Sequence, residues 1–254
     1  MAERITSGQN PKIKDLLLLE SKSRERKARG LFVVEGRREY ERALAAGYAP
    51  ATVFVREGEA EAPTADFVVS DRVYEKIACR GGTEGVVAVM RAREISLQEL
   101  HLSPAPLILV LESVEKPGNL GAVLRTADAA GADAVLVCDP LTDLYNPNLI
   151  RASLGAVFSV PTVACTSEEA CAWLKAHGIA ILTAQLQDSL PYYETDMVRA
   201  TALVFGTEDK GLSAFWREQA DAHIRIPMAG RMDSLNVSVS AAILAFEAVR
   251  QRNQ

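Results

Sequence analysis

The sequence predicts an α/β protein with two domains. Short runs rich in β-branched residues alternate with helix-like segments along most of the chain, which is the pattern of an α/β fold. The chain has 254 residues and is 48% hydrophobic, enough for a small domain joined to a medium-sized one. The alternation stops once, at the proline-containing stretch EISLQELHLSPAP. We therefore predict a first domain over 1–95, a linker over 96–106 and a second domain over 107–254.

The first domain is predicted from short apolar runs that are separated by helical patterns. Strands are expected at 31–35, 52–55, 66–70 and 85–91, with helices at 37–47 and 71–79. These elements indicate a small α/β domain that ends near Arg93.

The second domain is predicted to be an open α/β sheet. Its apolar runs are continuous, which is typical of parallel strands covered on both faces; they are LILVLESV from 107, then 134–138, 180–184, 202–206 and 223–227. Helical segments separate them at 119–130, 146–156, 167–177, 211–219 and 235–252. Ligands of such sheets bind beyond the carboxyl ends of the strands, so the loops after these runs are the candidate sites.

Charge indicates a local rather than a general affinity for nucleic acid. The net charge of −5 argues against a protein that coats nucleic acid nonspecifically. The stretch KSRERKARG at 22–30 is nevertheless strongly basic, and it includes Arg24, Arg26 and Lys27. Such a run is either an RNA contact or the solvated face of a helix.

Composition and residue spacing also indicate where the protein is located and whether it binds a metal. No apolar run approaches the roughly 18 residues that span a bilayer, and the N-terminus lacks the apolar core of a secretory signal, so we expect a cytoplasmic protein. Four cysteines and three histidines lack the paired spacing of a zinc site. We therefore expect reduced cysteines and no metal.

Three well-known enzyme motifs are missing or incomplete. No G-x-G-x-x-G follows the first strand of the second domain, and there is no G-x-S-x-G nucleophile elbow. The stretch GTEDKGLS nearly matches a phosphate-binding loop, but Leu212 stands where that loop needs lysine. These gaps weigh against a dinucleotide enzyme, an α/β-hydrolase and a P-loop NTPase.

Three loops of the second domain combine turn residues with polar side chains. PGNLGAVLRTADAAG places Asn119 as a possible helix cap and Arg125 on the helix. VFGTEDKGLS places Gly206 directly after a buried strand, where a ligand could approach the backbone, and Glu208 at the strand end. IRIPMAGRMDSLNVS runs from a strand into the last helix. Each loop alone is also explained by an ordinary turn or capped helix.

The stretch from Ser234 to Ser240 alternates polar and apolar residues like a strand, yet we predict that it is the start of a helix. Ser234 or Asn236 can satisfy the first backbone N–H groups. The helix then carries two apolar stripes, namely Leu235, Val239, Ile243 and Phe246 on one side and Val237, Ala241, Leu244 and Ala248 on the other. Two stripes require two partners, and a second subunit is one of them.

The order and spacing of these motifs resemble the SpoU or TrmH-type RNA ribose 2′-O-methyltransferases. The resemblance rests on PGNLGAVLRTADAAGA, LVFGTEDKGLS and IRIPMAGRMDSLNVSVSAA, with YNPNLIRASLGAVFSVP between the first two, and spans about 107–252. The stretch FVVEGRREYERAL is similar to small substrate-binding domains of the ribosomal-protein L30-like kind. Lys116 and Asp209 depart from the pattern, since many members have an acidic residue and a glycine there.

The resemblance implies a deep trefoil knot, a homodimer through the C-terminal domain, and S-adenosyl-L-methionine as cofactor. The implied substrate is ribosomal RNA, with transfer RNA as the alternative. The expected cofactor-binding residues are Thr183, Ala184, Gly206, Ile226, Met228, Leu235 and Asn236. The expected catalytic residues are Asn119, Arg125, Glu208 and Asn236. RNA contacts are expected from Arg24, Arg26, Lys27, Arg125 and Arg151.

The role of Arg125 stays open at this stage, as do two other functions. By resemblance Arg125 is the proposed base, but a guanidinium has no acceptor and a pKa above about 12, which favours a phosphate clamp. A catalytically silent RNA-binding or ribosome-assembly protein with the same fold is the main alternative function. A nucleotide-dependent enzyme of another kind is the second, because open α/β sheets host many activities.

Overall fold

The structure is a computed structural model that describes residues 2–59, 63–78, 84–207, 209–231 and 234–254. Within these ranges no helix is both long enough and apolar enough to span a bilayer. The chain forms two compact units, which are the first unit (1–93 and 143–159) and the second unit (94–142 and 160–254). The segment 143–159, which we assigned from the sequence to the second domain, thus packs with the first unit.

The elements follow one another in an α/β order. The strands are β1 Glu3–Ile5, β2 Leu31–Glu35, β3 Pro50–Arg56, β4 Phe67–Val69, β5 Val86–Arg91, β6 Leu107–Glu112, β7 Ala134–Cys138, β8 Thr162–Cys165, β9 Ala180–Ala184, β10 Leu190–Pro191, β11 Thr201–Phe205 and β12 Ala222–Arg225. The helices are α1 Pro11–Ser21, α2 Ser23–Arg29, α3 Arg37–Ala45, α4 Asp71–Ile77, α5 Pro117–Ala130, α6 Pro147–Ala152, α7 Ala156–Ser159, α8 Ser167–Ala176, α9 Ala214–Gln219 and α10 Val237–Arg252.

The first unit is built on a mixed sheet. Its described strands lie in the order β1-β4-β3-β5-β2, with β1, β4 and β3 parallel and β5 antiparallel to both β3 and β2. Helices α1 and α4 pack on one core cluster that includes Ile13, Leu16 and Ile77. The sequence pattern did not predict β1, α1 or α2.

Long-range polar and aromatic contacts explain why the segment 143–159 belongs to the first unit. Asp143 accepts a hydrogen bond from Arg26 at 2.7 Å, and both side chains are almost fully buried. The ring of Tyr145 stacks on Phe32 with centroids 4.3 Å apart. Neither contact leaves a periodic signal in the sequence, because each joins residues more than a hundred positions apart.

The second unit confirms the predicted parallel sheet. Over the described residues the strand order is β10-β12-β9-β11-β6-β7-β8, and every neighbouring pair is parallel. Strands β6, β7 and β11 are buried along their whole length. Their continuous apolar sequences follow from this, since helices cover both faces of the sheet.

Helix α5 begins two residues earlier than predicted. Pro117 is its first residue, a position where the missing N–H has no cost and the fixed φ suits the helix. Asn119 therefore lies inside the first turn and is not the cap that we predicted.

Candidate functional site

Two cavities open at the carboxyl ends of the central strands in the second unit. The first cavity, of about 310 Å³, lies among the loops after β9, β11 and β12 and the start of α10. The second cavity, of about 610 Å³, lies beyond β6 and beside the first turn of α5. Both are lined by Gly206, Thr207, Lys210, Gly211, Leu212 and Val237, so the loop after β11 is a shared wall.

The first cavity gathers most of the residues expected to bind the cofactor. Ala184, Gly206, Ile226, Met228 and Leu235 all line it. They come from three loops and the entry to α10, which the sequence separates by up to 51 positions. A cavity of this size with apolar walls and accessible backbone fits an adenosine-containing ligand.

Thr183 differs from the prediction, because it lies within β9 and does not line the first cavity. Its side chain is fully buried, and its hydroxyl is 2.6 Å from Nδ1 of His223. The strand pairs Thr183 with Val204 on one side and His223 on the other. The next residue, Ala184, is the one that reaches the cavity.

Gly206 is required by the fold of its own loop. A Cβ added at this position would overlap the backbone of Gly211 and Leu212. Thr207 and Gly211 exchange backbone hydrogen bonds of 3.1 and 3.0 Å, which draw the loop tight against Gly206. The loop packing alone therefore requires glycine at this position, and the close approach of a ligand to Gly206 stays a prediction.

Asn119 and Asn236 join the first and third motifs at the second cavity. Nδ2 of Asn236 donates to Oδ1 of Asn119 at 3.2 Å, and Asn119 lines the cavity. The Oδ1 of Asn236 accepts from the backbone N–H of Ser238 at 3.0 Å and from its hydroxyl at 2.6 Å. Asn236 is therefore the cap of α10, and the alternating stretch is a helix entry as predicted.

The structure describes only one of the two other expected catalytic residues. Arg125 lies on the exposed face of α5, and no ion pair or hydrogen bond of its guanidinium involves a described residue. Glu208 lies outside the described residues.

The two cavities differ in charge. The side chains of Lys210, Arg217 and Arg225 line the first cavity, and no aspartate or glutamate is among its described lining residues. The second cavity has Glu112, Glu115 and Asp209 beside Lys116 and Lys210. A hydrogen bond from Thr207 is the largest cause that lowers the pKa of Asp209, which keeps this carboxylate charged. None of the three cations was predicted as a site residue from the sequence. Lys210 lies in the loop after β11, Arg225 at the end of β12 and Arg217 on α9, and no sequence pattern joins them.

The basic stretch 22–30 is divided between surface and interior. Arg24 and Lys27 are exposed, as an RNA contact requires. Arg26 is only 5% exposed. Its guanidinium bonds to Asp143 and to the backbone carbonyls of Leu19 at 2.6 Å and Glu20 at 2.9 Å. Its expected contact with RNA is therefore corrected to a structural role.

Arg151 is also engaged within the first unit. It donates to Glu35 at 2.8 Å and to Asn148 at 2.5 Å, and 20% of its side chain is exposed. An RNA contact would have to compete with these partners.

Solved structures and curated proteins match this chain over nearly its whole length. A crystal structure of an RNA 2′-O ribose methyltransferase has a TM-score of 0.87 and 44% identity, covering 99% of this chain and 100% of that one. An rRNA methyltransferase from Sinorhizobium meliloti with bound AdoMet has a TM-score of 0.89 and 30% identity, with 98% of both chains covered. The 23S rRNA (guanosine(2553)-2′-O)-methyltransferase RlmP of Bacillus subtilis is 31% identical over 96% of this chain and 98% of its own.

Family models match both parts of the chain. Residues 10–88 match the MRM3-like substrate binding domain, in agreement with the resemblance noted for the first domain. Residues 106–246 match the SpoU rRNA Methylase family. This match covers more than half of the chain and includes all three motifs, and the chain therefore belongs to the SpoU rRNA methylase family.

Proposed function

We propose that the protein transfers a methyl group from S-adenosyl-L-methionine to the ribose 2′-hydroxyl of a nucleotide in ribosomal RNA. The names of its relatives supply the substrate and the cofactor. The observation that carries the proposal is the hydrogen bond between Asn119 and Asn236, which brings the first and third motifs together beside the shared wall of the two cavities.

Each cavity has a role in this proposal. The first cavity holds the cofactor, because its apolar walls and backbone edges suit adenosine. The second cavity receives the target nucleotide, and Asn119, which lines this cavity and accepts a hydrogen bond from Asn236, lies beside the reacting hydroxyl. The cofactor supplies an electrophilic methyl group, and the protein supplies the alignment of hydroxyl oxygen, methyl carbon and sulfur that direct transfer needs.

We assign Arg125 a role in binding the RNA rather than in removing the proton. Its guanidinium is exposed on α5 and makes no bond to any described residue, so it can contact a phosphate next to the target ribose. A guanidinium lacks an acceptor atom, which makes it a poor base. Its positive charge instead stabilises the negative charge that develops on the ribose oxygen.

A homodimer through the second unit belongs to the same proposal. Leu235, Val239 and Phe246 are 37, 45 and 47% exposed on one side of α10 and its entry. Ala241, Leu244 and Ala248 on the other side are fully buried. The exposed stripe is the face that we expect a second copy to cover. A trefoil knot in the second unit, implied by the family, also stays part of the proposal.

The first unit supplies RNA affinity in this scheme, as the name of its family model suggests. Arg24 and Lys27 are the exposed cations of its basic helix α2. Because the ribosome of a bacterium lies in the cytoplasm, we place the protein there as well.

A transfer assay tests the proposal directly. The protein is incubated with methyl-labelled cofactor and with either ribosomal or transfer RNA, and resistance of the labelled linkage to alkali identifies 2′-O-methylation. Label in ribosomal RNA alone is the expected result. Label in neither RNA, with the cofactor bound, would instead favour a silent RNA-binding protein.

Asn236→Ser sharpens the assay, because serine is as good a helix cap as asparagine but cannot donate to Asn119 in the same way. Loss of transfer with unchanged thermal stability is expected. Full activity in this variant would contradict the role given to the Asn119–Asn236 pair.

A further inference from the structure

We propose that Arg217 binds the carboxylate of the cofactor's aminoacyl group and so sets the direction in which the cofactor lies in the first cavity. This inference rests on the proposed function, since it takes the first cavity as the cofactor site. Arg217 is a positioning residue in this proposal and takes no part in the transfer step.

The position of Arg217 is the first support. It lies on α9 and lines the first cavity but not the second. One terminal nitrogen of its guanidinium is 3.9 Å from the point where a Cβ of Gly211 would stand. Gly211 belongs to the shared wall, so the guanidinium lies over the loop that separates the cavities.

The second support is that Arg217 has no partner among the residues that the structure describes. Arg217 is exposed, and its guanidinium has no ion pair or hydrogen bond with any residue that the structure describes. Not every arginine of the second unit is available in this way. Arg252, for example, donates to the backbone carbonyls of Ala105, Pro106, Met197 and Arg199. The donors of Arg217 thus stay available for a ligand.

The charge of the first cavity is the third support. S-adenosyl-L-methionine carries a sulfonium, an ammonium and a carboxylate, so two of its three charges are positive. The described lining of the first cavity offers Lys210, Arg217 and Arg225 and no acidic side chain. Such a cavity attracts the carboxylate and repels the sulfonium.

The second cavity completes the orientation. Its described lining carries three carboxylates, from Glu112, Glu115 and Asp209, against the two cations Lys116 and Lys210, so the positive sulfonium is favoured on the side of this cavity. The methyl group then points toward the cavity that Asn119 lines, where the target ribose is expected.

Among the three cations, Arg217 suits the carboxylate best. Lys210 lines both cavities and so stands at the shared wall, where it would be close to the sulfonium. Arg225 is the last residue of β12 and is partly buried. The planar guanidinium of Arg217 can instead form two parallel hydrogen bonds to a carboxylate.

A comparison of two ligands tests the proposal. S-adenosylhomocysteine has the aminoacyl carboxylate, and 5′-methylthioadenosine has the same nucleoside thioether without it. Calorimetric titration of Arg217→Gln should show about tenfold weaker binding of S-adenosylhomocysteine, as expected for a partly exposed charged hydrogen bond. Binding of 5′-methylthioadenosine should stay within about twofold of the parent protein, since a twofold change is below about 0.5 kcal/mol.

Arg199→Gln is the matched control, because Arg199 has a 66% exposed side chain in the same unit and lines neither cavity. It should bind both ligands like the parent protein. Arg217→Lys should recover only part of the lost affinity, because an ammonium cannot form the paired contact.

Several outcomes would overturn the inference. Unchanged binding of S-adenosylhomocysteine to Arg217→Gln, or an equal loss for both ligands, contradicts a carboxylate contact. Weaker RNA binding with normal cofactor affinity would mean that Arg217 contacts RNA phosphate instead. If the parent protein bound neither ligand, the proposed function itself would fail, which separates the two failures.

Discussion

Arginines in the two units differ in whether the protein already supplies their anion. In the first unit, Arg26 and Arg151 donate to Asp143 and Glu35 and are largely buried. In the second unit, Arg125 and Arg217 are exposed and have no partner among the described residues. The sequence does not separate the two pairs. Arg26 lies in a basic stretch, whereas Arg151, Arg125 and Arg217 each follow an apolar residue.

The difference shows which cations are available for a ligand. A guanidinium can be buried only if carboxylates or carbonyl groups replace its water, and those bonds then hold elements of the fold together. A guanidinium without such partners stays hydrated at the surface, where a phosphate or a carboxylate can bind it. A count of positive charges cannot make this distinction, and a list of their partners can.

The largest effect is expected from a buried arginine. Arg26→Ala leaves Asp143 buried without its partner and frees two backbone carbonyls, so it should lower the free energy of unfolding by about 3–5 kcal/mol. Urea unfolding followed by circular dichroism measures this loss. The control is Arg24→Ala on the same helix, which is exposed and should change stability by less than about 0.5 kcal/mol. Equal stability of the two variants would mean that the buried Arg26 supports the fold no more than the exposed Arg24 does.

The opposite result is expected for Arg125. Arg125→Ala should keep the stability and the cofactor affinity of the parent protein while methyl transfer falls by about 10²–10³-fold, the usual cost of removing a positioned group from a reacting centre. Single-turnover assays with labelled cofactor measure the rate, and Arg199→Ala serves as the exposed control. Substantial activity in Arg125→Lys would indicate that charge alone is sufficient. Near-normal turnover in Arg125→Ala would contradict the proposed site.

A smaller effect is expected when the exposed part of the basic helix is neutralised. Arg24→Gln with Lys27→Gln should weaken RNA binding by about tenfold at low salt and reduce the slope of log affinity against log salt by about one to two. Cofactor affinity should not change. We leave Arg26 out of this variant because its loss would destabilise the unit, and that effect would be confused with a loss of RNA contacts. A salt slope equal to that of the parent protein would mean that α2 is only a solvated surface.

Much of the fold and part of the site could be predicted from the sequence. Continuous apolar runs such as β6 and β11 indicate buried parallel strands because no polar face interrupts them. The resemblance to the methyltransferase family implied Ala184, Ile226 and Met228 as cofactor-binding residues, and all three line the first cavity. The strand pattern is local, because it depends on residues that are neighbours in the chain, whereas the site residues came from the resemblance.

The features that could not be predicted depend on contacts across long separations. The segment 143–159 joins the first unit through pairs such as Phe32 with Tyr145, which no periodicity reveals. The burial of Arg26 depends on the same kind of contact. The sequence shows that Gly206 follows a buried strand. It does not show that the backbone of Gly211 leaves no room for a Cβ there, because that contact forms only when the loop closes.

The smallest effect concerns an acidic group near the buried arginines of the first unit. Burial, with a further contribution from the charge of Glu35, raises the pKa of Glu20 to about 7, and Arg151 opposes this rise. The folded protein therefore holds the Glu20 proton more tightly than the unfolded chain. Its contribution to stability is complete below the unfolded pKa near 4.5 and is lost as the pH rises through about 7.

Glu20→Gln should accordingly match the parent protein at pH 5 and exceed its free energy of unfolding by about 1–2 kcal/mol at pH 8, after allowance for partial solvent screening. Urea unfolding at both pH values measures the difference. Glu41→Gln, at an exposed position of the same unit, is the control and should differ from the parent protein by the same amount at both. A Glu20→Gln variant that is destabilised at pH 8 would mean that the charged carboxylate is favoured there. The buried arginines of this unit would then need more negative charge than their partners supply. The contrast with Arg125 and Arg217, which have no partner among the described residues, would disappear.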